Sequence, residues 1–137
     1  MKRPRLARSV VHTTLWVDAT FELIAGATML TLNASIADWL DVNRNLVVVA
    51  ALIFIAAAIG IAAVALQPVP SRSVVSWLAA LNLIGGAAVW FAVALNWSQI
   101  SPEGHWLVSA MADSFIAVAA LEFLALRRSA PAAGSTG

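Results

Sequence analysis

The chain has no cysteine, which excludes disulfides, thiolate metal sites and cysteine nucleophiles. Charge is scarce as well. Only 11% of the 137 residues are Asp, Glu, Lys or Arg, against about 25% in a soluble domain. That shortage argues against a soluble globular domain, a disordered tail or a nucleic-acid binder. No phosphate loop, dinucleotide fingerprint or metalloprotease motif is present, and nothing places Ser, His and Asp as a hydrolytic triad. The chain therefore reads as non-enzymatic, with no catalytic residue, no metal ligand set and no cofactor. What it has in excess is apolar: 61% of its residues are hydrophobic and the mean hydropathy is +0.88.

A membrane helix needs about 20 mostly apolar residues. Four segments qualify: 10–32, 46–66, 74–95 and 106–126. The connectors hold Asp38, Asp41 and Arg44, then Pro68, Pro70 and Arg72, then Pro102 and Gly104. Proline in a connector cannot continue the helix before it. The expected fold is an all-α membrane protein, a four-transmembrane-helix antiparallel bundle with short connections. Residues 1–9 form a basic N-terminus, 10–128 the membrane domain and 129–137 a small, polar, disordered tail. The start imitates a signal peptide, but its apolar run is too long and contains Asp18 and Glu22, so it reads as a retained span.

Direction follows from the basic residues. Lys2, Arg3, Arg5 and Arg8 precede the first span, Arg72 lies in the second connector, and Arg127 and Arg128 follow the fourth span. With both termini cytoplasmic, seven of the eight Lys and Arg residues are inside. Tryptophan agrees, since indoles collect at interfaces: Trp39, Trp97 and Trp106 near the outer face, Trp16 and Trp77 near the inner one.

In the first outer loop, Ile36, Trp39 and Leu40 have helical spacing, with Ser35 and Asp38 in a capping-box relation. A short helix on the outer surface fits this pattern; an irregular loop with anchoring apolar residues fits it too. The sequon at Asn33 abuts the membrane and is read as chance. A shift of 60 residues lays Glu22-Leu23-Ile24-Ala25-Gly26-Ala27 over Asn82-Leu83-Ile84-Gly85-Gly86-Ala87. Either the two hairpins are parallel repeats, or the match is coincidence in a small alphabet of Ala, Leu, Ile and Gly.

The carboxylates within the spans are the most informative residues. A charge at the bilayer centre costs roughly 2.5–3.5 kcal/mol, so such groups turn to a protein interior or a watery cavity. Asp18 and Glu22 share one face of the first span, in a row with Thr14 and Gly26. At a rise of about 1.5 Å per residue, Glu22 falls at mid-membrane and Asp18 about 6 Å toward the cytoplasm. Asp113 falls slightly to the outside and Asn82 slightly to the inside. Asp18, Glu22, Asn82 and Asp113 are therefore expected to converge on one polar site for a proton or a ligand. No Lys or Arg lies within any span. At least one of the three acids is then expected to be protonated at neutral pH, because desolvation disfavours the charged form. The alternative role is structural, as neutral hydrogen bonds between helices.

Glu122 lies half a revolution of helix from Asp113. It is expected at the interface, where it snorkels or pairs with Arg127 and Arg128. His12 and His105 fall at opposite membrane faces and cannot jointly ligate one haem. Rows such as Ala56/Gly60 and Ala58/Ala62, and Gly85 with Gly86, let helix backbones approach within the chain or between subunits.

Val17-Asp18-Ala19 with Gly26, Trp39-Leu40, Ala80-Leu81-Asn82 and Leu126-Arg127-Arg128 together resemble a broad group of small bacterial four-span membrane proteins, the DoxX-like sets among them. The resemblance implies a four-helix bundle in a bacterial cytoplasmic membrane and little about activity; Glu22, Asp113 and Glu122 are more acidic than its pattern. Phe21-Glu22-Leu23-Ile24-Ala25-Gly26 is similar to the first span of small multidrug resistance transporters, whose embedded Glu is a shared proton and drug site. The long first loop and the second and third spans depart from that family. Of three readings, a membrane enzyme or redox subunit is the one the missing motifs disfavour most, and two remain. One is a structural or accessory subunit of a membrane complex, held by its small-residue faces. The other is a proton-coupled small carrier or lipophilic-cation binder using the intramembrane carboxylates. The expected partners are the lipid bilayer and either further copies of the chain or another membrane subunit.

Overall fold

A computed structural model describes residues 3–128. Lys2 and the tail at 129–137 lie outside the described residues. Among the described residues there are five helices and no strand: α1 Arg3–Thr31, α2 Asn33–Leu40, α3 Arg44–Ala65, α4 Arg72–Leu95 and α5 Pro102–Arg128. The long helices end where polar and proline-bearing connectors begin. α3 opens at Asn43, whose side-chain oxygen accepts the Asn45 N–H at 2.8 Å. This satisfies a first-turn donor that has no partner inside the helix. α5 opens at Ser101, whose hydroxyl accepts the Gly104 N–H at 3.2 Å. Pro102 then takes the first helical position, where no N–H is needed. α3, α4 and α5 are each long and apolar enough to cross a membrane, and α1 qualifies together with α2 as a pair bent by 88°. The chain thus carries the three to four candidate spans of a multi-pass membrane protein. Its outer surface agrees: Ile53, Ile59, Leu81, Ile84 and Phe91 are all more than half exposed.

Of the two readings of the first loop, the helix is the one that forms. It starts at Asn33, ahead of the expected Ser35, and has no side-chain cap, so the Ser35–Asp38 capping box does not occur. The Asn33 amide instead donates to Leu30 O and its oxygen accepts from Arg44 Nε, pinning the bend to the start of α3. Ile36 and Ala37 are buried. The helix stops on Asp41, the one positive-φ non-glycine residue among those described, at 52°. There the Val42 N–H donates to Ala37 O at 3.0 Å and the Asp41 N–H to Asp38 O at 3.4 Å, the Schellman pattern that usually takes glycine. Asp41→Val is expected to lower stability in detergent by about 1–2 kcal/mol, since a β-branched residue resists this conformation. Asp41→Gly should hold or raise stability. Equal melting of the two variants would show that the left-handed cap does not matter.

The helices form an open arc. α1 packs mainly on α3, α4 mainly on α5, and a lesser α1–α5 contact joins the two pairs. α3 and α4, although joined by a short connector, nowhere bring their Cα atoms within 8 Å. Short connections alone therefore do not make every helix pack on its neighbour in sequence. The close pairs meet at glycines. A Cβ on Gly26 would lie 2.8 Å from Ile55 Cγ1 and 2.9 Å from Ala51 O; one on Gly86 would lie 2.9 Å from both Ala112 O and Ile116 Cγ1. At the Arg3 end, Leu15, Ala19, Ile61, Ala65, Val75 and Ala125 close the core. At the α2 end, Met29, Ile36, Ala37, Val47 and Ala51 do so.

Candidate functional site

Between these two apolar layers lies a polar one. On α1 the row Thr14, Asp18, Glu22 and Gly26 turns inward; Asp18 is fully buried and Glu22 is 5% exposed. α4 turns Val75, Ala79, Asn82 and Gly86 inward. α5 buries Val108, Ala112, Phe115, Ala119 and Glu122, a stripe of helical period. Glu122 is 0% exposed. The Asn82 amide reaches across the arc and donates to Asp18 Oδ2 at 3.1 Å and to Glu122 Oε2 at 3.3 Å. The other oxygens, Asp18 Oδ1 and Glu122 Oε1, are buried without a hydrogen-bond partner. Thr14 stays apart, its hydroxyl donating to Val11 O of its own helix at 2.9 Å.

Three of the four expected site residues therefore meet and one does not. Asp113 is exposed on the outer side of α5, where it accepts the Trp90 indole N–H at 3.1 Å. Its place is taken by Glu122, which is buried in the bundle and pairs with neither Arg127 nor Arg128, both exposed. The half-revolution between Asp113 and Glu122 is as expected; which of the two faces inward is reversed. A stripe of small and buried residues leading to Glu122 was the available signal. It is faint because α5 is apolar on all sides, so hydrophobicity does not tell the protein side from the lipid side.

The layer is reached from the side. Where α3 and α4 stand apart, a crevice of about 390 Å³ runs inward between Ile53, Ala57 and Gly60 on one wall and Leu78 and Leu81 on the other. Glu22, Asn82 and Phe115 line its depth. The Phe115 ring lies 5.5 Å from both Phe21 and Phe54, and this aromatic cluster backs the crevice. The volume lies in the range of small-molecule sites, about 300–1,000 Å³. Walls of this kind favour a hydrophobic body, and the acid favours a positive charge. Among the described residues no group of three His, Cys, Asp or Glu is arranged to hold a metal ion. His12 bonds Gln67 O in the α3–α4 connector and His105 bonds Trp97 O in the α4–α5 connector, each at 3.0 Å, so they sit at opposite ends of the arc. Of the small-residue rows, Ala58 is buried against α1, whereas Ala56 and Gly60 are exposed. No protein-family model, curated protein or solved structure matches this chain.

Proposed function

We propose that the chain is a small four-span membrane protein that binds a lipophilic organic cation at Glu22, entered sideways between α3 and α4. The observation that carries this reading is the apolar crevice that ends on a nearly buried carboxyl. Negative potential there has no local counter-charge, because no Lys or Arg lies within the apolar segments. A delocalised cation with apolar substituents satisfies both walls and floor, whereas a small hydrated ion would leave the walls unsatisfied. In this reading the α1–α2 bend ends the first span, the bundle is antiparallel, and both termini are cytoplasmic in a bacterial inner membrane. The protein acts as a binder or carrier rather than an enzyme. The glycine contacts support the repeat as well. Gly86 follows Gly26 by 60 positions, and Ala112 and Ile116 follow Ala51 and Ile55 by 61. Under such a repeat the closed α1–α5 seam and the open α3–α4 seam are counterparts, and the opening is a departure from symmetry.

The test is equilibrium binding of tetraphenylphosphonium to the protein in lipid nanodiscs. Glu22→Gln is expected to weaken binding about 10–100-fold, the worth of one charged contact of roughly 1.5–3 kcal/mol. Asp113→Asn should bind like the wild type. Wild-type binding no stronger than that of empty nanodiscs, or undiminished in Glu22→Gln, would overturn the reading. The accessory-subunit reading keeps one observation of its own: a Cβ on Gly60 or Gly85 would meet nothing within 4 Å, leaving room for another helix. Co-purification of a stoichiometric membrane partner seated over α3 would favour it.

A further inference from the structure

The cation site uses Glu22 and leaves Asp18 and Glu122 unexplained. These are the two acids with no exposure at all, on different helices, and they share one amide donor, that of Asn82. Each keeps one oxygen with no hydrogen-bond partner. Because Asp18 Oδ2 and Glu122 Oε2 accept from the same Asn82 nitrogen, at 3.1 and 3.3 Å, the two carboxyl groups stand close together. A carboxylate only accepts, so two ionised carboxylates supply no donor for their unpartnered oxygens. Two like charges side by side in a low-dielectric layer repel strongly as well. A proton on one of them removes both problems: the pair then carries one charge and one O–H donor.

The remaining charged groups around the pair do not offer another solution. On α1 the facing group is Glu22, one turn away and also acidic. α4 offers Asn82, which is neutral, and begins at Arg72, in its first turn. α5 carries Arg127 and Arg128 in its last turn, both exposed. α3 has Arg44 alone, at the opposite end of the arc. α2 contributes Asp38 at that same far end. A metal ion is not favoured either, since among the described residues no three potential ligands converge.

We propose that Asp18 and Glu122 form a single-proton site, bridged by Asn82 and set behind the crevice that Asn82 lines. This rests on the cation reading only for its role: a cation seated at Glu22, one helical turn from Asp18, lowers the negative potential around the pair and drives its proton off. One proton leaves one carboxyl and goes to water, and no other bond changes. Cation binding is then linked to pH, tightening by up to about tenfold per pH unit as the pH rises.

Infrared spectroscopy of the protein in lipid tests the site without any ligand. At neutral pH the wild type is expected to show one protonated-carboxyl band at the pair. Glu122→Gln and Asp18→Asn should each remove it, because the new amide replaces the proton as donor at the same net charge, which also spares the fold. Glu22→Gln and Asp113→Asn should keep it. Adding tetraphenylphosphonium should bleach the band in the wild type and release about one proton per cation to an indicator dye, a loss expected from simple linkage. Absence of the band, or its survival in both pair variants, would overturn the site. A band untouched by saturating cation would overturn the exchange. Failure of the cation to bind would sink the cation reading alone, and the band would still decide the proton site.

Discussion

Asn82→Leu is expected to destabilise the protein more than any other single polar change. Leucine keeps the branching of asparagine at Cγ but is larger, so the substitution removes the donors and adds some overpacking. Asn82 supplies the amide for both Asp18 and Glu122, at 3.1 and 3.3 Å. Without it, two fully buried acids keep only each other. Breaking a buried charged network from one side costs about 3–5 kcal/mol, against an average of about 0.6 kcal/mol for an ordinary interhelical hydrogen bond in a membrane. Thermal or denaturant unfolding in mild detergent reads the difference. Glu122→Gln supplies a new amide beside Asp18, so the double variant Asn82→Leu/Glu122→Gln should recover part of the loss. That coupling, measured as a double-mutant cycle, separates a shared network from two independent contacts. An Asn82→Leu protein as stable as the wild type would show that the bridge carries no weight.

The second large effect is expected at the two glycines that hold the helix pairs together. Alanine at position 26 would place its Cβ 2.9 Å from Ala51 O, and alanine at position 86 the same distance from Ala112 O. Both obstacles are backbone carbonyls, which move only if a whole helix moves. Gly26→Ala and Gly86→Ala should each cost about 1–3 kcal/mol through overpacking. Gly60→Ala and Gly85→Ala meet nothing within 4 Å and should gain up to about 1 kcal/mol from helix propensity. The contrast is informative because all four changes are chemically identical. If Gly26→Ala and Gly60→Ala melt alike, the close approach of α1 to α3 is not what holds that pair.

The helices themselves were largely legible. The segments expected at 46–66 and 74–95 correspond to α3 Arg44–Ala65 and α4 Arg72–Leu95, because a membrane-length apolar run between proline and polar connectors leaves little choice. The inward row of α1 was legible too, since Asp18 and Glu22 sit one turn apart in an otherwise apolar segment and both must avoid lipid. Asn82 stands out for the same reason, as a polar group in an apolar segment. Asp113 and Glu122 show where this logic stops. Both are acids in one helix on opposite faces, so each is a claimant for the interior. Asp113 avoids the cost of exposure by accepting the Trp90 indole N–H, a partner 23 residues away that no local pattern indicates.

Taken alone, the sequence determined the four long apolar segments, the position of each acid along its helix and the absence of thiol chemistry. These follow from composition and from the 1.5 Å rise per residue. Only the tertiary structure decided which acid of α5 meets Asp18, that one asparagine serves both, and that α3 and α4 part to open a crevice onto Glu22. The reason is the solvent. In water a helix shows its inner face by hydrophobicity. In a bilayer both faces are apolar, and orientation is set by close packing at small residues and by polar partners from distant helices.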